Sequence, residues 1–157
     1  MERGFGALRE NGIDDIVVVR GYCSHLINYS KITYRENPNY RKNNILGSLF
    51  FAEDEINDDF IFSYSDIIYD KIIVEKLIQS DADIALAVDI DWIQNYKGRS
   101  QHPISEAELV KIKDGRVVKT GKGVVRPAEA PGESIGIAKF ATEGGEAVKG
   151  VGQGERR

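Results

Sequence analysis

This 157-residue chain holds one cysteine, one tryptophan, two histidines and four prolines, and each shortage removes a class of function. Cys23 has no partner for an internal disulfide and cannot build a thiolate metal site. His25 and His102 are too few and too distant in sequence for a zinc centre. His25 lies two residues from Cys23, but such neighbours diverge in a strand or turn, so a thiol nucleophile with its own base is not expected. No apolar run approaches the roughly 20 residues of a membrane span, and MERGFGALREN lacks the basic-then-apolar order of a signal peptide. The expectation is a cytoplasmic protein with no membrane partner. Net charge is −4 with both signs interspersed and no basic block, which argues against general nucleic-acid binding.

What is present reads as one ordinary domain. Hydrophobic residues make up 41% of the chain and charged residues 29%, a globular composition able to build one core. GFGALRENG carries Phe5, Ala7 and Leu8 at helical spacing and ends on Gly12, suited to a left-handed stop. DDIVVVRGY is a short β-branched run of the kind buried on both faces of a sheet. KITYRE is a second strand, and Asn37-Pro38-Asn39 marks a turn. NNILGSLFFAED predicts a helix opened by Asn43 or Asn44, with Ile45, Leu49 and Ala52 along one face. FIFSYS predicts a strand, and IIYDKIIVEKLIQS a helix burying Ile68, Ile72 and Leu77. DIALAVDI predicts another strand.

These alternations predict an α/β fold, a Rossmann-like, doubly wound and mostly parallel sheet. The second half adds antiparallel strands, because ELVKIKDGRVVKTGK alternates with period two about Asp114-Gly115, a strong hairpin signal. IGIAKF is one more strand. Residues 1–142 are expected to form a single domain, and the glycine-rich tail 143–157 a disordered extension that opens as a short helix.

Ligands of open α/β sheets bind beyond the carboxyl ends of the strands. Asp66 stands just past FIFSYS, and Asp89 and Asp91 at or past the end of DIALAV. Brought together, such carboxylates could hold Mg²⁺, an oxygen-seeking ion usually shared with substrate phosphates. The competing reading makes Asp66 the cap of a helix starting near Ile67. The segment DWIQNYKGRSQHPISEAE is the other dense cluster. Its Arg99 suits a phosphate or phosphonate and Lys97 adds a point charge, while Trp92 or Tyr96 could face a cationic amine. The alternative is a solvated loop with Trp92 in the core. Lys119 and Lys122 in KTGKG read as an exposed hairpin end rather than a phosphate grip. Asp89-Ile90-Asp91 also matches the Asp-x-Asp pattern of metal-dependent glycosyltransferases.

In order, LRENGIDDIVVVRGY, ENPNYRKNNILGSLFFAED, FIFSYSDIIYD, VDIDW, YKGRSQHP and GESIGIAKF resemble the sugar-nucleotidyltransferase-like family over roughly residues 5–142. The branch they resemble most is the cytidylyltransferases for phosphocholine or 2-aminoethylphosphonate, including the domain fused to phosphoenolpyruvate phosphomutase. The resemblance implies transfer of CMP from CTP to a small phosphorylated or phosphonylated amine or choline, with Mg²⁺ as cofactor. It makes Asp66 the metal-binding and catalytic aspartate, preceded here by Ser65 where relatives carry glycine. It gives Asn44, Ser48 and Ser65 to the nucleotide, and Asp89, Asp91, Trp92, Tyr96, Arg99, His102 and Glu133 to the acceptor side. The family's opening strand, its glycine-rich triphosphate loop and its second metal-binding aspartate have no counterpart here, only Glu143 and Glu146 following the last strand. The expectation is therefore a shortened member that is inactive unless completed, with a homo-oligomeric or partner-domain contact to cover missing sheet edges. A noncatalytic nucleotide-binding or regulatory module on the same fold is the alternative.

Overall fold

The computed structural model describes residues 1–142 together with Gly144 and Gly145. Two compact units emerge: Met1–Ile61 with Ile68–Ala85 and the residues from Lys139 onward, and Phe62–Ile67 with Leu86–Ala138. No described helix is long and apolar enough to cross a membrane.

In the first unit, α1 (Glu2–Arg9) buries Phe5, Ala7 and Leu8, and Gly12 turns at φ +80 as a left-handed stop requires. β1 (Val17–Arg20) and β2 (Thr33–Glu36) pair in parallel from Val17 opposite Thr33 to Arg20 opposite Glu36. They form a two-stranded sheet, which corrects the expectation that the VVV run is buried on both faces. All four β1 residues are half-buried. Arg20 closes the pair with an ion pair to Glu36 at 2.6 Å and lies 4.0 Å over the Tyr34 ring.

The NNILGSLFFAED helix is shorter than its periodicity predicts. α2 (Ile45–Leu49) gives way to a tight 3₁₀ segment, Phe50–Glu55, and Ala52 leaves helical geometry at φ −115, ψ 21. α3 (Lys71–Ile78) also starts later than expected, and it buries Val74 and Leu77. Ile68 is 72% exposed and Ile72 49% exposed, so only Leu77 of the three predicted core positions is correct. Ile68 precedes the helix, and Ile72, two residues from Val74, lies away from the inward stripe that runs through Val74 and Leu77. Asn11 fixes that start by donating its amide to Lys71 O at 3.0 Å and Ala7 O at 2.9 Å.

The larger sheet contains β3 (Phe60–Ser63), β4 (Ile84–Asp89), β5 (Glu108–Lys113), β6 (Arg116–Lys122) and β7 (Gly132–Phe140). Its order is β3-β7-β5-β6, with β4 also pairing β7. The fold is thus α/β, mixing a parallel pair with antiparallel strands. The hairpin between β5 and β6 turns on Asp114 and Gly115 at φ 51 and 75, the double positive φ of a type I′ turn.

In the second unit a short helix, α4 (Trp92–Asn95), follows β4. Trp92, Tyr96, Ala107, Leu109 and Val125 form a buried cluster with Ala130 against it. The expected helical opening of the tail is present at Thr142, Gly144 and Gly145, where Gly145 N–H donates to Ala141 O at 2.8 Å. The rest of the predicted disordered tail, with Glu143 and Glu146, lies outside the described residues.

Candidate functional site

Asp66 and Ser65 form an exposed turn directly after β3 and Tyr64. The helix cap that the competing reading assigned to Asp66 belongs to Asp70, whose carboxylate accepts from Ile72 N–H at 3.0 Å. Capping therefore does not explain Asp66. Its side chain makes no hydrogen bond or ion pair among the described residues, so its acceptor capacity is open to solvent and ligands.

Tyr64, which the sequence reading passed over, is the best-fixed residue beside that turn. Its N–H donates to Gly136 O at 2.8 Å, and its hydroxyl donates to both carboxylate oxygens of Glu108, at 3.2 and 3.3 Å. Gly136 sits at φ +80, and a Cβ there would come within 2.5 Å of the Tyr64 ring. Burial pushes the Tyr64 hydroxyl up to about 12, and the negative charges of Glu108 and Asp66 add to the shift.

A second cluster forms on α4, the loop after it and β7. The Tyr96 hydroxyl donates to Glu133 at 2.6 Å, and Glu133 stands opposite Leu109 in the β5–β7 register. The His102 ring stacks on Tyr96 with centroids 5.9 Å apart and planes at 27°, while the Arg99 guanidinium lies 5.2 Å over the same ring. Burial pushes Tyr96 up to about 12, assisted by its bond to Glu133, so it remains a neutral donor. Four residues singled out in sequence are thereby brought together, with the exposed Arg99 and His102 both against the ring of a buried phenol. Among the described residues the Arg99 side chain makes no ion pair, which leaves its donor fork for an anion.

Other expected site residues are committed elsewhere. Trp92 is 1% exposed and packs edge-to-face on Tyr96 at 5.9 Å, so it anchors α4 and offers no ring face to a ligand. One Asp89 oxygen accepts from Asp91 N–H at 2.8 Å and the other from the Asn95 amide at 2.6 Å. Asp89 thus holds the turn into α4, and Asp91 is exposed. Among the described residues no three His, Cys, Asp or Glu side chains are grouped to hold a metal. Asp66, Asp89 and Asp91 do not form the shared carboxylate site that their strand-end positions suggested.

In the first unit, Asn44 caps α2 by accepting from Gly47 N–H at 2.8 Å. The Ser48 hydroxyl donates to Asn44 O at 3.2 Å and accepts from the buried Asn37 amide at 2.9 Å. The Asn37 amide also donates to Asn43 Oδ1 at 3.1 Å. These polar residues stiffen the entry to α2, with the Asn44 amide nitrogen left over.

No family model matches the chain. A CTP:phosphoglutamine cytidylyltransferase from Campylobacter jejuni is 32% identical over 146 residues, which cover 86% of this chain and 58% of that protein. The inositol-1-phosphate CTP transferase from T. maritima superposes with a TM-score of 0.68 at 20% identity, over 90% of this chain and 57% of that one. The chain is nucleotidyltransferase-like, with cytidylyltransferase relatives. A candidate glucose-1-phosphate thymidylyltransferase from Bacillus anthracis shares the nucleotidyltransferase-like fold at a TM-score of 0.63 and 14% identity, over 94% and 61% of the two chains. This nucleotidyltransferase-like chain therefore spans under two thirds of the length of each relative. At 14–20% identity the two solved structures speak to the fold alone.

Proposed function

We propose that the chain carries the acceptor side and one metal-binding carboxylate of a cytidylyltransferase that transfers CMP from CTP to a small phosphorylated acceptor. The observation that carries this reading is Asp66, a carboxylate just past the end of β3 that no cap, hydrogen bond or ion pair among the described residues consumes. A phosphate oxygen of the acceptor attacks the α-phosphorus of CTP, the bond from that phosphorus to the bridging oxygen breaks, and pyrophosphate leaves. Such transfer depends on alignment and charge stabilisation more than on proton chemistry.

Arg99 and His102 are assigned to the acceptor phosphate, and the Tyr96–Glu133 pair to the polar end of the acceptor. The Campylobacter jejuni relative is named for phosphoglutamine, so that compound joins phosphocholine and 2-aminoethylphosphonate as an acceptor to test. Mg²⁺ fits Asp66 only as an ion completed by triphosphate oxygens and water, since the described residues supply no three-ligand group. Bound there it would neutralise phosphate charge.

The test is pyrophosphate release from CTP and Mg²⁺ with each acceptor in turn, compared between the wild-type chain and Asp66→Asn. Release with one acceptor, lost in Asp66→Asn, supports the proposal. No release with any acceptor from a folded sample removes the catalytic claim. The lack of a three-ligand metal group among the described residues favours one further reading, a noncatalytic nucleotide-binding module. CTP would then raise the melting temperature without turnover.

A further inference from the structure

Among the described residues neither Ser65 nor Asp66 makes a hydrogen bond, so the turn that presents Asp66 depends on its neighbours for its position. We propose that Tyr64 is the positioning residue for Asp66, clamped between Glu108 on β5 and Gly136 on β7. This rests on the reading of Asp66 as a ligand-facing carboxylate, but its geometric part stands by itself.

Three independent contacts fix Tyr64. Its backbone N–H reaches Gly136 O at 2.8 Å, which carries pairing one residue beyond the end of β3. Its ring packs so closely on the bare Cα of Gly136 that any Cβ would overlap it, at 2.5 Å from Cδ2 and 2.8 Å from Cγ. Its hydroxyl bridges both oxygens of Glu108, 44 residues along the chain. Phe62 closes the near side, edge-to-face at 5.7 Å and 86°.

A glycine inside a strand commonly marks a close backbone approach, and here the approach is by the residue two positions before Asp66. The φ of +80 at Gly136 makes the site doubly glycine-specific, through backbone conformation and through space. A carboxylate on a free turn samples many positions, whereas one tethered two residues from a three-point clamp samples few. For a metal shared with substrate phosphates, that restriction sets how much ordering each binding event must supply.

The experiment compares wild type, Tyr64→Phe, Glu108→Gln and Glu108→Leu. Tyr64→Phe keeps the ring on Gly136 and removes only the hydroxyl bridge. Glu108→Gln still offers an oxygen to the Tyr64 hydroxyl, and Glu108→Leu offers none. Amide hydrogen exchange at residue 64, whose N–H is held on Gly136 O, reads the clamp without any need for activity. Tyr64→Phe and Glu108→Leu should speed exchange there several-fold while leaving α3 and the β5–β6 hairpin unchanged, and Glu108→Gln should restore most of the protection.

In pyrophosphate release, the same two variants should raise the Mg²⁺ concentration for half-maximal rate several-fold, with global melting little changed. Unchanged exchange at residue 64 in both Tyr64→Phe and Glu108→Leu overturns the inference. So does faster exchange with no change in Mg²⁺ requirement in an active enzyme. If wild type releases no pyrophosphate, the proposed activity fails by itself, and the exchange data still decide whether Tyr64 holds the turn.

Discussion

Asp66 and Asp70 are four residues apart in SDIIYD, and the structure gives them opposite work. Replacing each by alanine should separate stability from ligand binding. Asp70 accepts from Ile72 N–H at the start of α3, and losing such a cap costs about 1 kcal/mol. In a chain of this size that lowers the melting temperature by about 2–4 °C. Asp66 is exposed and has no hydrogen-bond or ion-pair partner among the described residues, so Asp66→Ala should stay within about 0.5 kcal/mol of wild type. Saturating CTP with Mg²⁺, at about 100 times its dissociation constant, stabilises a native state by about 2.7 kcal/mol. Thermal and urea unfolding with and without CTP and Mg²⁺ then give a two-by-two outcome. Asp70→Ala should melt lower and keep its Mg²⁺-dependent shift, and Asp66→Ala should melt like wild type and lose that shift. The reasoning is refuted if Asp66→Ala destabilises the free protein as much as Asp70→Ala, or if the Mg²⁺-dependent shift survives without Asp66.

Two further outcomes follow from the second unit. Trp92→Ala should cost about 3–5 kcal/mol by urea unfolding, because it empties a site 1% exposed; a loss below about 1 kcal/mol is incompatible with a core role. Tyr96 has a folded-state pKa near 12 against an ordinary 10, so the folded state holds the proton more tightly than the unfolded chain. Its contribution to stability is complete below pH 10 and is lost as pH rises toward 12. Tyrosinate absorbance in alkaline titration should show Tyr64 and Tyr96 ionising well above the ordinary value of 10, and Tyr96→Phe should remove one of these late transitions. A titration with no late tyrosines would contradict the burial of both hydroxyls.

The features legible in sequence are those set by local chemistry. Asp114-Gly115 marked its hairpin because both residues must take positive φ, and few pairs tolerate that. Asn44 was legible, with Asn43, as one of two candidate caps, because an asparagine side chain is the right length to reach an N–H such as that of Gly47. The start of α3 was not, since SDIIYDK offers two aspartates, each followed by apolar residues. The choice between them is tertiary: the Asn11 amide on Lys71 O and the burial of Val74 and Leu77 select Asp70. The ambiguity at Trp92 has the same origin. An indole between two aspartates and a basic loop fits a ligand cage or a core anchor equally well until Ala107, Leu109 and Val125 close around it.

Tyr64 was missed because its partners lie far along the chain, Glu108 by 44 residues and Gly136 on another strand. One local signal was available, the interior glycine of GESIGIAKF, which has no packing role in a buried strand unless another group approaches its backbone.

Unspent hydrogen-bonding capacity separates the residues that can take a ligand from those that only resemble such residues in sequence. Asp89 carries the Asp-x-Asp pattern, yet both of its oxygens accept from its own turn and helix, so binding a metal would compete with the start of α4. Asn44 spends its oxygen on a cap, and Ser48 spends its hydroxyl on Asn37 and Asn44 O. Asp66, Arg99 and His102 retain exposed polar groups beside neighbours that are tightly held: Tyr64 on Gly136, and Tyr96 on Glu133. A rigid neighbour next to an uncommitted charge is the arrangement that lowers the ordering cost of binding. It makes these three positions, and not the denser acidic run at 89–91, the place where substitutions should alter ligand response without altering the fold.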